Sequence, residues 1–191
     1  MSSNYVAIAR KRLESLVIPE YPPIYSTEKK CFWTVVQGDS RNLTKIWEKY
    51  NFPVIDFCIC SPPYWNQLKR NSMRQKERKE KGLDTEYITD EGNLGVLDNY
   101  NDFIIEQKKV FDQVHSIMRS FGYLVIITSN VFYSGRVYPL AYDTATSLSS
   151  NCSHGWILKD EKIWLQDDKS LLALGVNNAW VGNRCHQYCL I

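Results

Sequence analysis

The chain has 191 residues, 44% of them hydrophobic and 23% charged, with a formal net charge of +2. That length fits one domain with a real core, so residues 1–191 read as a single folded unit. The balance is ordinary for a globular protein and excludes a disordered or collagen-like chain. No signal peptide opens it and no apolar run of about 18 residues appears, so the expectation is a cytoplasmic protein with no membrane contact.

The first predicted element is an amphipathic helix over 5–13, with Tyr5, Ile8, Ala9 and Leu13 on one face. Pro19, Pro22 and Pro23 mark an irregular connector. Residues 32–37 read as a short β-rich strand closed by Gly38-Asp39-Ser40, followed by a helix over 43–50. Residues 54–60 form an apolar run that reads as a buried strand of a parallel sheet. Cys58 and Cys60 alternate in it, face the same side and read as small buried hydrophobes.

Residues 66–98 lose periodicity and read as a long excursion, helical between Met73 and Lys81. Segments this long inside a compact domain are usually functional or disordered. Its basic cluster, Lys69, Arg70, Arg74, Lys76, Arg78, Lys79 and Lys81 against Glu77 and Glu80, carries +5 and leaves the rest of the chain at about −3. A solvated helix face is the bland reading; a contact to phosphates is the functional one.

Helical spacing returns over 101–119, with Phe103, Ile104, Val110, Phe111, Val114, Ile117 and Met118 as the buried stripe and Gly122 beyond its end. A strand over 123–128, a loop over 129–136, a helix over 138–148 and strands over 156–166 and 186–191 complete the prediction. Short apolar strands alternating with helices argue an α/β domain with a parallel sheet, and the last two strands suggest a terminal antiparallel hairpin. Trp156, Trp164 and Trp180 are assigned to the core, and His115 and His154 are left as structural. Cys185, His186 and Cys189 match no zinc spacing, so no metal is expected there.

The residues with the most chemical content are Ser61, Pro62, Pro63 and Tyr64, directly after the apolar strand. Open α/β sheets keep their ligands at the carboxyl ends of strands. Each proline lacks an N–H and holds the preceding residue extended, so the loop is stiff and its carbonyls are available to a ligand. A hydroxyl, an exposed carbonyl and an aromatic face together suit the exocyclic amino group of a flat base. An acceptor pair from the Ser61 hydroxyl and the Pro62 carbonyl would hold both N–H bonds of such an amine. Tyr64 would stack on a base flipped out of a duplex, a contact worth about 1–3 kcal/mol. Trp65 is the candidate second stacking surface.

This Ser-Pro-Pro-Tyr-Trp loop resembles the catalytic motif of amino-methyltransferases that modify cytosine N4 or adenine N6 in DNA. Other segments resemble that family in order. Tyr5 to Leu13 is similar to the helix after its second strand, and Val35-Val36-Gln37-Gly38-Asp39-Ser40 to its third-strand Gly-Asp motif. Gly122-Tyr123-Leu124-Val125 resembles the entry to its fifth strand, with Phe121 in place of a first glycine. His186-Gln187-Tyr188 resembles its closing His-Glu-Tyr strand.

The resemblance implies a Rossmann-like methyltransferase sheet and S-adenosyl-L-methionine as methyl donor. Gly38 and Asp39 would then be cofactor-binding, with Asp39 accepting from the adenine amino group; Asp39 also reads as a plain N-cap, and both roles are compatible. DNA is the implied partner, contacted by Trp65, Lys69, Arg70, Arg74 and Arg78, in a restriction–modification or orphan modification setting. Serine at the first motif position leans toward cytosine N4, and mildly against the alternative of an RNA base methyltransferase. A non-catalytic nucleic-acid-binding fragment is the third reading. The family's Phe-x-Gly-x-Gly cofactor loop is absent from the chain, as is the acidic residue expected just before Ser2. The sheet is therefore expected to be incomplete at its N-terminal end, with a second chain as the candidate source of the missing half, and the chain alone is expected to bind S-adenosyl-L-methionine poorly and to methylate slowly, if at all.

Overall fold

The structure is a computed structural model, and it describes residues 3–15, 33–69, 76, 79–82, 93–150, 155–166 and 185–191. Among these the architecture is mixed α/β: a four-stranded sheet with two helices packed on one face, plus a small two-stranded ribbon.

Helix α1 (Ser3–Glu14) comes first. Residues 33–39, expected as a strand over 32–37, carry no strand. Arg10 donates to the carbonyl of Val35 there (3.2 Å), but β-propensity alone does not make a strand where no ladder partner lies alongside among the described residues. Helix α2 (Leu43–Tyr50) matches its expectation and stops at Asn51, which takes a left-handed conformation with φ 51°. Asparagine tolerates that region better than most residues.

Strand β1 (Ile55–Cys60) runs parallel to β2 (Met118–Thr128), with Phe57 opposite Tyr123 and Cys60 opposite Ile126. β6 (His186–Leu190) lies antiparallel to β2, and β5 (Glu161–Leu165) antiparallel to β6, which gives the sheet order β1-β2-β6-β5. The parallel pair and the antiparallel C-terminal pair are thus as the sequence implies. Helix α3 (Tyr100–Ile117) is capped by the Asn99 side chain, which accepts from the N–H groups of Asn101 and Asp102. Its buried stripe is Phe103, Gln107, Phe111, Val114 and Ile117. Gln107 is an unexpected member, and its Oε1 accepts from the Thr144 hydroxyl at 2.9 Å. Helix α4 (Leu140–Ser149) supplies that threonine.

The core has two parts. Phe111, Val114, Leu124, Ile126, Leu148 and Leu190 pack between α3, α4 and one sheet face, with Cys58, Cys60 and Trp156 against them. Trp65, Phe103, Val131 and Leu140 form the second, at the carboxyl end of β1 and β2. Two expectations of burial need correction. β1 is buried on one face only: Phe57 and Ile59 are 55% and 58% exposed. Trp164, expected in the core, is 51% exposed in β5. Both lie on the sheet face that the described helices leave uncovered.

Candidate functional site: the Ser61-Pro62-Pro63-Tyr64 loop

β1 ends at Cys60, so Ser61 leaves the sheet at the carboxyl end of the parallel pair. Ser61 is exposed, and Pro62, Pro63 and Tyr64 are half-buried. The Ser61 hydroxyl lies 2.8 Å from the Tyr64 hydroxyl. Gln187, on β6, donates from Nε2 to the same phenolic oxygen at 3.1 Å. The Tyr64 carbonyl accepts from the N–H of Gln67 at 3.1 Å, starting the single-turn helix Trp65–Lys69. Burial raises the Tyr64 phenol above its ordinary value, against a smaller lowering by Ser61 and a smaller raising by the nearby Cys189 thiol.

Trp65 is not a free stacking surface, which corrects the expectation. It is 2% exposed, with its ring 5.1 Å from Tyr100, 5.2 Å from Tyr133 and 4.5 Å from Tyr138. Its φ of 46° turns the chain inward at this residue, and the aromatic box receives the indole. Trp65 therefore anchors the loop. Asn66 follows it into the interior, 1% exposed, with its side-chain oxygen unpartnered among the described residues.

The box is completed by an element absent from the sequence reading. Residues 129–136, expected as loop, hold β3 (Val131–Tyr133) and lead into β4 (Arg136–Tyr138), joined by Ser134 and Gly135 at φ 49° and 80°. Two positive-φ residues at the centre of a two-residue turn match the right-handed twist of the strands they join. The signal was present as Ser-Gly between β-branched and aromatic residues. The Arg136 guanidinium lies 4.1 Å from the Tyr138 ring centre.

Asn130, at the end of β2, was also missed. Its side-chain oxygen accepts from the N–H of Ala141 at 3.1 Å, and its Nδ2 lies 3.4 Å from the Tyr188 hydroxyl. It thereby supplies the start of α4 with the cap that Pro139 cannot give. Gln187 was noted only as part of a closing strand; its place across from Tyr64 needs the register of β6 to be seen.

At the other candidate site, Asp39 caps the helical turn Ser40–Asn42. It accepts from the Arg41 N–H at 2.9 Å, from Arg41 Nε at 3.1 and 3.0 Å, and from Nη2 at 2.6 Å. The Arg41 side chain holds its carboxyl below the usual carboxylate range. The N-cap role is therefore filled. An ionised carboxylate offers about four acceptor positions, and three Arg41 N–H groups, with Nε shared between both oxygens, occupy most of them, so an adenine amino group at Asp39 competes with Arg41. Gly38 is closely packed: a Cβ there would run into the Ile46 side chain of α2.

The sequence-derived DNA contacts Arg70, Arg74 and Arg78 lie outside the described residues, as does the Lys69 side chain and most of the expected helix between Met73 and Lys81. Among the described residues no cluster of His, Cys, Asp and Glu could hold a metal. No helix among them is long and apolar enough to cross a membrane.

No family model matches the chain, and no curated protein does. Solved structures of TTHA0409 from Thermus thermophilus, provisionally described as a DNA modification methylase, are similar at 20% identity and a TM-score of 0.48. They cover 80% of this chain and 50% of theirs. The form complexed with S-adenosyl-L-methionine gives 21% and 0.49, covering 80% and 52%. The chain thus spans about half the length of those proteins.

Proposed function

We propose that this chain carries the base-binding and catalytic part of a DNA amino-methyltransferase, which moves a methyl group from S-adenosyl-L-methionine to cytosine N4 or adenine N6. The observation that carries the reading is the Ser61-Pro62-Pro63-Tyr64 loop at the carboxyl end of β1, with Ser61 exposed and its hydroxyl oriented by Tyr64.

An exocyclic amine on an aromatic ring is a poor nucleophile because its lone pair is delocalised into the ring. Two acceptors, Ser61 Oγ and the Pro62 carbonyl, would hold its two N–H bonds and draw the nitrogen toward tetrahedral geometry. The lone pair is then exposed and the developing positive charge is stabilised, so positioning and electrostatics supply the catalysis. S-adenosyl-L-methionine supplies an electrophilic methyl group. On this side of the reaction the chain offers Asp39 and Gly38 as the adenine end of a cofactor site, with Arg41 displaced. A second chain covering the sheet face of Phe57, Ile59, Tyr123 and Trp164 would complete it; the exposure of these four large apolar residues supports that partner.

Incubation with duplex DNA and methyl-labelled S-adenosyl-L-methionine, with a polypeptide carrying the missing cofactor loop added, tests the reading. Label should enter DNA, and Ser61→Ala should cut the rate by about 100-fold, the scale for removal of one preorganised polar contact. Equal transfer by the variant would sink it. The second reading, a non-catalytic nucleic-acid-binding fragment, is favoured by the Arg41 lock on Asp39. DNA binding without transfer, with or without Arg41→Ala, would select it.

A further inference from the structure

The Tyr64 hydroxyl links the loop after β1 to Gln187 of β6, 123 residues further along the chain. Its phenolic oxygen meets Ser61 Oγ on one side, at 2.8 Å, and Gln187 Nε2 on the other, at 3.1 Å. An amide N–H can only donate, so the Tyr64 oxygen is the acceptor toward Gln187. The phenol is the more acidic of the two hydroxyls, which favours donation of its proton to Ser61 Oγ across the 2.8 Å contact. Hydrogen bonds in such a chain polarise one another, so donation by Gln187 strengthens donation by Tyr64. The Ser61 oxygen is then fixed by an incoming proton, its own hydrogen turns away, and a lone pair is left for a further donor.

The base of this chain is rigid. Gln187 sits within β6, paired with Trp164 of β5, while β6 is also paired to β2. The other end is exposed, and among the described residues the Ser61 hydroxyl is bonded to Tyr64 alone. Without Tyr64 nothing described would select among the rotamers of Ser61.

We propose that Gln187 is a positioning residue of the site: acting through Tyr64, it holds Ser61 Oγ in the orientation that accepts an N–H bond of the target amine. The catalytic consequence rests on the methyl-transfer reading; the hydrogen-bond chain does not.

The test uses the full chain with 13Cζ-labelled tyrosine, the Tyr64 signal being assigned from Tyr64→Phe. Gln187→Leu removes the donor at similar volume. The Tyr64 phenol should then ionise at higher pH, because its phenolate loses an N–H partner, while the neighbouring Cys189 thiol remains as before. In the methyl-transfer assay kcat should fall by about 10- to 100-fold with KM for DNA nearly unchanged. Gln187→Glu is the second variant, guarding against a folding defect. Its carboxylate accepts from Tyr64 and should push the phenol higher still.

A Tyr64 signal unmoved by both substitutions overturns the hydrogen-bond chain. A moved signal with full activity overturns the positioning role and leaves the methyl-transfer reading standing. No transfer by the unsubstituted chain, even when supplied with a polypeptide carrying the missing cofactor loop, overturns that reading, and with it the catalytic half of the proposal, whatever Tyr64 does.

Discussion

At φ 46°, Trp65 adopts a backbone conformation that costs an L residue about 1–2 kcal/mol, and its indole offsets that cost by filling the box of Tyr100, Tyr133 and Tyr138. Trp65→Ala should therefore destabilise the fold by about 3–5 kcal/mol, read as a lower urea midpoint. Phe121 presents the opposite case. Its φ is 65° and it is 98% exposed, so no packing offsets the strain. Phe121→Gly should raise stability by about 1 kcal/mol, with the slope of the urea transition unchanged. Asp39 gives the pH-dependent case. Its folded carboxyl titrates below its unfolded value because of Arg41, so its stabilising contribution is present above the unfolded value and is lost as pH falls through the folded one. In Arg41→Ala the Asp39 signal should titrate closer to an ordinary carboxylate, and acid should destabilise the protein less. An unchanged Asp39 titration would contradict the assigned cause.

β2 shows where pattern reading reaches its limit. The strand was expected to start at Tyr123 but begins at Met118, with an irregularity opposite Asp56 between the Ile55–Met118 and Phe57–Tyr123 pairs. The apolar alternation begins only after that irregularity, so the earlier residues gave no strand signal. Gly122 sits inside it. A Cβ there would meet the Met118 side chain at 2.5 and 2.9 Å and the Asp56 carbonyl at 3.0 Å. Gly122→Ala should loosen the β1–β2 junction and cost about 1–3 kcal/mol in urea unfolding. α2 and α3 were legible from their helical spacing and β1 from its apolar run. The β3–β4 ribbon was not, since its strands are three residues long and only the Ser134-Gly135 turn announces it. The strand expected over 32–37 failed for a different reason: a strand is a pairing, and sequence shows only one side of it.

At the scale of the described molecule, the sheet face away from the core leaves large apolar side chains exposed. Phe57, Ile59, Tyr123 and Trp164 share it, each 45–58% exposed. A contiguous apolar surface of this kind marks an interaction site or an association liability. Ile59→Lys should reduce self-association in sedimentation velocity while changing the urea midpoint little; unchanged association would show that this face is not the contact. The place of the Ser-Pro-Pro-Tyr loop was legible, because an apolar strand leads directly into it. Its support was not: Trp65 as anchor, Gln187 behind Tyr64 and Arg41 across Asp39 each depend on contacts between distant or turned-in residues. The most direct measurement is nucleoside mass analysis of duplex DNA incubated with the chain, a polypeptide carrying the missing cofactor loop and saturating S-adenosyl-L-methionine. The account predicts a methyl group on an exocyclic nitrogen, N4 of cytosine or N6 of adenine, that disappears with Ser61→Ala. A methyl group on a ring carbon, or exocyclic methylation undiminished by that substitution, would contradict it.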